Sequence, residues 1–318
     1  MSLCVNGYSL DQVETASIPI VGEREFFRLQ TEFKQSVSDR YDKHNVHAGV
    51  VKHAVDGSIK LIDALALRDL LLSTKPQNIL EIGTFLGFSL RWMLDSTASF
   101  GPKIVSLDPR VRHRIFDDIK SHVVDFTSGH RHRITFIDAY LSERNDAFFL
   151  HDYLSYEPRM NLAEAEDLLK RIPIIVEPFA DFDFAFVDGD HSYNATLANV
   201  SLVARMMPSG GYIVVHDAIS WPDVRPALEA LGAIDGITLV EVLGDDFHRW
   251  HSQHHNFRRL DAHVRSSFCD GLGLIKVEAG AAIQPEDIVS LMRTAASQRE
   301  PETLLRKASR RFSALLKG

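Results

Sequence analysis

The sequence predicts an α/β protein: a doubly wound, mostly parallel seven-stranded sheet with an antiparallel edge strand, extended by helices at both ends of the chain. Three observations predict it. Short apolar runs rich in Ile, Val, Leu and Phe recur from Asn78 onward, most of them separated by segments with helical spacing. Several of these runs end in an acid, at Asp108, Asp138, Asp188 and Asp217. The last two runs have no clear helix between them, which suits an antiparallel pair at the sheet edge.

Each element follows in order. Phe26, Phe27, Leu29 and Phe33 give a charged N-terminal segment helical spacing, and IKLIDALALRDLLL gives a second, more apolar helix over residues 59–72. NILEIG is the first strand, followed by a helix from Phe85 to Leu94. KIVSLD and RITFID are the second and third strands, DFAFVD the fourth, and a helix runs from about Tyr193 to Met206. GGYIVVHD is the fifth strand, Pro222 to Leu231 a helix, and ITLVEVL and GLGLIKV the closing pair. Strands alternating with helices imply a parallel sheet covered on both faces. Three regions result: a helical extension over 1–57, a main domain over 58–278, and a helical tail over 279–318. Two stretches interrupt the main domain. The first, about 139–180, contains the helix-like NLAEAEDLLKRI. The second, about 244–270, is rich in His and Arg.

Composition narrows the function classes. The chain has 318 residues and is 45% hydrophobic, enough for a substantial core. The formal net charge is -8, and no Lys/Arg run tracks a phosphate backbone, so no nucleic-acid partner is expected. Arg306, Lys307, Arg310 and Arg311 fit a solvated helix face. Two cysteines, Cys4 and Cys269, are too few for a disulfide framework or a Cys-based zinc site and suit a reducing compartment. No apolar run reaches the roughly 18 residues of a membrane span, and MSLCVNGYSLDQVETAS lacks the build of a signal peptide. A cytoplasmic protein with no membrane partner is the expectation.

The stretch NILEIGTFLGFSL carries the chemistry. In an open parallel sheet, ligands bind where strands end and strand order reverses. Gly83 and Gly87 allow close backbone approach there. A pyrophosphate would call for G-x-G-x-x-G, but this turn reads G-T-F-L-G and follows an acid, Glu81. A carboxylate repels an anion and suits a cation. S-adenosylmethionine, with its sulfonium and ammonium, meets that requirement. Asp108, ending the second strand, can accept hydrogen bonds from a ribose. A nicotinamide cofactor, and glycines that only shape a tight turn, stand as the alternatives.

ILEIGTFLGFSLRWM resembles the first motif of class I S-adenosylmethionine-dependent methyltransferases, which are Rossmann-like. It is similar above all to small-molecule O-methyltransferases of the catechol O-methyltransferase type, over roughly residues 60–243. The resemblance implies that Glu81, Gly83, Thr84, Phe85, Gly87, Phe88 and Ser89 hold the methionine part of the cofactor. It also implies that Asp108 and Pro109 lie at the ribose and adenine, Asp138 and Ala139 at the adenine edge, and Asp188 beside the cofactor.

A second constellation lies at the next strand ends. Asp188, Asp190 and His191 follow the fourth strand; His216 and Asp217 end the fifth. Adjacent parallel strands lie about 4.8 Å apart, so Asp188 and Asp217 can share one hard divalent cation. Asp190 or Ser192 also fits a helix N-cap. The resemblance implies Mg²⁺ held by two acids and a third oxygen ligand. Ala218 stands where that ligand is expected, and His216 precedes Asp217, so the set becomes Asp188, Asp217 and His216, open to Mn²⁺ or Fe²⁺ as well. His191 falls where catechol-type relatives carry a Lys base, and imidazole suits proton removal near neutral pH. His248, His251, His254 and His255, set among Arg249, Arg258 and Arg259, fit a lid or subunit contact better than a metal site. The amphipathic chain ends are compatible with a homodimer.

The resulting expectation is an S-adenosylmethionine-dependent O-methyltransferase for a small-molecule or sugar hydroxyl, with His191 and Asp188 catalytic and a divalent cation assisting. An NAD-dependent oxidoreductase on the same fold and a non-catalytic S-adenosylmethionine binder are the alternatives.

Overall fold

The computed structural model describes residues 22–41, 58–108, 117–137, 162–170, 181–244 and 269–297. Within them, helices α1 (Glu23–Tyr41) and α2 (Leu61–Thr74) precede strand β1 (Asn78–Ile82). Then come α3 (Phe88–Ser96), β2 (Lys103–Leu107), α4 (Asp117–Phe126) and β3 (Ile134–Ile137). α5 (Leu162–Lys170), β4 (Phe184–Val187), α6 (Tyr193–Arg205) and β5 (Gly211–His216) follow. α7 (Val224–Leu231), β6 (Ile237–Leu243), β7 (Leu272–Val277) and a helix over 285–297, α8, complete the order.

The seven strands form one sheet in the order β3-β2-β1-β4-β5-β7-β6. β1 to β5 pair in parallel, with β1 between β2 and β4, so the chain reverses direction across the sheet between β1 and β4. β7 pairs antiparallel with both β5 and β6. The antiparallel strand thus lies one place in from the edge, and β6 forms the edge. No helix separates β6 from β7 among the described residues, and a return strand can slot against β5 only in the opposite direction.

Period-two alternation sorts side chains to two helical layers. Leu80 and Ile82 of β1 pack on α6 and α7, together with Leu197, Val200 and Leu228. Ile79 faces the other layer with Phe26 and Phe33 of α1, Leu67 of α2 and Leu90 of α3. Phe26 meets Phe88 and Trp92 edge-on, at ring-centroid distances of 5.5 and 5.6 Å, which draws α1 into the same core as α3. Ile288 and Met292 of α8 are buried on the α6 side. No helix among the described residues is long and apolar enough to cross a membrane.

Candidate active site

β1 leaves the sheet into a turn that only particular residues can make. Gly83 has φ 95°, and a Cβ there would lie 1.9 Å from the backbone oxygen of Asp188. The ends of β1 and β4 therefore touch backbone to backbone. Gly83 N–H donates to Leu107 at 2.9 Å and Asp188 N–H to Ile82 at 2.8 Å, tying three strand ends together. Phe85, at φ 45°, is a non-glycine residue in the left-handed region. Its N–H donates to Asp108 Oδ2 at 2.6 Å, a charge-assisted bond that offsets the backbone cost. Gly87, at φ 82°, turns the chain into α3. The helix begins at Phe88 rather than at the expected Phe85, because this left-handed turn cannot be helical.

Glu81 is fully buried one residue before the end of β1, on the face that packs against α3. It accepts hydrogen bonds from Ser89 Oγ at 2.8 Å and from Ser106 Oγ. Ser106 in turn pairs with Thr84 Oγ1 at 2.5 Å. Burial pushes the Glu81 carboxyl up to about 8; the Ser106 and Ser89 bonds oppose the rise, while Asp188 and Asp108 add to it. A cationic ligand would favour the ionised form.

The second cluster lies at the ends of β4 and β5. His191 Nε2 is 2.8 Å from Asp217 Oδ2 and 3.3 Å from Asp188 Oδ1. His216 Nδ1 is 3.2 Å from Asp188 Oδ1 and 3.5 Å from Asp217 Oδ2. Asp217 sits at φ 62°, turning its carboxylate back into the cluster, where Ser220 Oγ donates to it at 2.5 Å. Trp221 stacks on the His191 ring at 5.2 Å and 5°. Burial alone would raise both carboxyls, but the His216 charge and the imidazole hydrogen bonds outweigh it: Asp188 is lowered, and Asp217 lies well below the carboxylate range. Burial would likewise lower His216, yet the facing Asp188 and Asp217 hold it well above the ordinary imidazole value.

Residues 80–218 match the family model described as a methyltransferase domain. Over that segment the chain is similar to methyltransferase domains. That segment begins within β1 and ends just past Asp217, so it contains both clusters. The domain's fold is similar to the O-methyltransferase from Bacillus cereus in complex with S-adenosylhomocysteine. The identity is 16% over 84% of this chain and 96% of that one, with a TM-score of 0.45. It is also similar to the O-methyltransferase TomG from Streptomyces achromogenes, involved in tomaymycin synthesis, in complex with S-adenosylmethionine. There the identity is 17% over 74% and 91% of the two chains, with a TM-score of 0.41. No curated protein matches the sequence.

The matched segment gathers Glu81, Gly83, Thr84, Phe85, Gly87, Ser89 and Asp108 around one turn, and Asp188, His191, His216 and Asp217 around the next strand ends. Asp190 Oδ1 accepts the Ser192 N–H at 2.8 Å in the turn ahead of α6, whose N-cap position is held by Ser192. Pro109, Asp138 and Ala139 lie outside the described residues, as do His248, His251, His254 and His255 and most of 139–180. Two participants escaped the sequence reading. Ser106 binds Glu81 from β2, and its signal was a lone polar residue at an inward position of KIVSL. Asp63 of α2 is 1% exposed, and its signal was an acid inside the apolar run IDALAL.

Proposed function

We propose that the methyltransferase domain transfers a methyl group from S-adenosylmethionine to the hydroxyl of a small molecule or sugar. The observation that carries the reading is the placement of two unlike clusters on either side of the β1–β4 reversal, where doubly wound sheets bind ligands. On one side lies a glycine turn with a buried, protonatable Glu81 and the turn-bonded Asp108. On the other lies a carboxylate–imidazole group.

Glu81, Gly83, Thr84, Phe85, Gly87 and Ser89 receive the methionine end. Asp108, with Pro109, Asp138 and Ala139, receives the adenosine. The acceptor oxygen attacks the methyl carbon in line: an O–C bond forms, the S–C bond breaks, and S-adenosylhomocysteine leaves. The protein's work is alignment and proton removal. Asp188 and Asp217 orient the hydroxyl. His191, paired with Asp217 and stacked on Trp221, takes its proton. The donor set also fits a divalent cation. Asp188, His191 and Asp217 offer ligand atoms within 4.8 Å of one another, and His216 Nδ1 adds a fourth beside Asp188. Asp188, Asp217 and His216 would hold it, leaving His191 as base. A bound cation would supply Lewis-acid polarisation of the hydroxyl. The proposal places the enzyme in a reducing cytoplasm, where the buried Cys269 stays a free thiol.

Calorimetry tests the cofactor. The wild type should bind S-adenosylmethionine and not NAD, and Asp108→Ala should bind at least tenfold more weakly. NAD binding in its place would make the protein an oxidoreductase candidate. Labelled cofactor incubated with a cell extract then separates an enzyme, which releases methylated product, from a binder, which does not.

A further inference from the structure

We propose that Asp63 is a positioning residue of the methyl-transfer site, acting through His216. It lies on α2, ahead of the matched segment 80–218, in a helix buried on most sides. An ionised carboxyl in such a place needs partners. The start of β7 supplies them. Asp270 N–H donates to Asp63 Oδ2 at 2.7 Å, Gly271 N–H to Oδ1 at 3.1 Å, and Cys269 Sγ–H to Oδ1 at 3.2 Å. Gly271 makes this possible with φ 89°, in a space where a Cβ would fall 2.6 Å from Ile219 Cγ1.

Held in this way, Asp63 Oδ2 faces His216 Nε2 at 3.6 Å. That nitrogen is buried and has no hydrogen-bond partner among the described residues. The opposite edge of the same ring, Nδ1, is the one that meets Asp188 and Asp217. Asp63 and the two strand-end acids therefore grip His216 from opposite sides. A carboxylate behind the far nitrogen of an imidazole fixes its ring orientation. Asp63 holds the ring with its Nε2 edge toward α2 and its Nδ1 edge turned to Asp188 and Asp217. Its functional sense rests on the reading of Asp188 and Asp217 as the acceptor-site acids.

Histidine-selective ¹⁵N NMR on the full chain tests this without knowing the acceptor, with His216 assigned by the signal lost in His216→Gln. In the wild type, Nε2 of His216 should carry a proton. Asp63→Asn should lose or displace that signal. Cys269→Ala, which removes one of the three donors to Asp63 and keeps the carboxylate that faces His216, should leave it in place. A bare Nε2 in the wild type, or an unchanged signal in Asp63→Asn, overturns the proposal. If Asp63→Asn does not fold, the wild-type spectrum alone decides. Calorimetry with S-adenosylhomocysteine runs alongside. Failure of the wild type to bind it would sink the methyltransferase reading, while the NMR result would still judge the Asp63–His216 pairing.

Discussion

Glu81→Gln isolates a fully buried carboxyl whose proton affinity the fold changes strongly. The folded chain raises this carboxyl from 4.5 to about 8. At about 1.4 kcal/mol per tenfold change in proton affinity, keeping it ionised in the fold costs on the order of 5 kcal/mol. The sign follows from the direction. Below pH 4.5 both states are protonated and the site contributes its full stability. Between 4.5 and 8 the unfolded chain releases a proton that the folded chain keeps, so stability falls, and above 8 the loss is complete. Gln keeps the shape but cannot ionise. Urea unfolding of both proteins from pH 5 to pH 9 should show the wild type losing ground to Glu81→Gln at up to about 1.4 kcal/mol per pH unit, levelling off above pH 8. Near pH 5 the ionisation loss and the rearranged serine hydrogen bonds should each amount to only about 1 kcal/mol. A difference constant across this range would refute the assigned burial and its cause.

Three further outcomes follow from the same structure. Gly83→Ala should destabilise by about 3 kcal/mol or more in urea, because its Cβ would meet the Asp188 carbonyl and its φ is positive. Asp217→Asn should cost about 3–5 kcal/mol near neutral pH by leaving its imidazole partners without one acid. Since the Asp217 carboxyl is depressed, the wild-type advantage is present above the ordinary carboxylate pKa and disappears as pH falls through the lowered value; acid titration of both proteins by circular dichroism checks this. Burial, with Asp63 beside it, pushes the Cys269 thiol upward, so Ellman's reagent should leave Cys269 unmodified in the native chain and label it in urea.

Much of the architecture was legible because it rests on local pattern. Apolar runs with helical spacers gave the strands. The acids ending those runs gave the two clusters, since adjacent parallel strands must bring Asp188 and Asp217 together. The start of α3 was misjudged because Phe85 takes a left-handed conformation that its side chain does not advertise; the Asp108 carboxylate, twenty-three residues away, holds it there. The placement of β7 inside β6 depends on a long return whose course no short-range period encodes. Asp63 escaped for the same reason: its partners are His216 and the 269–271 segment, more than 150 positions away. The sequence alone presents Glu81 as an anion facing a cation. The structure adds that it waits as a protonated acid, because burial outweighs its two serine donors.

In the proposed function this turn receives a positive ligand. Titrating S-adenosylmethionine into the protein at pH 7, in phosphate and again in Tris, measures it most directly. If the sulfonium draws Glu81 into its ionised form, the two heats should differ by the release of about one proton, and Glu81→Gln should abolish the difference. Tight binding with identical heats in both buffers, or binding of NAD in place of S-adenosylmethionine, would contradict it.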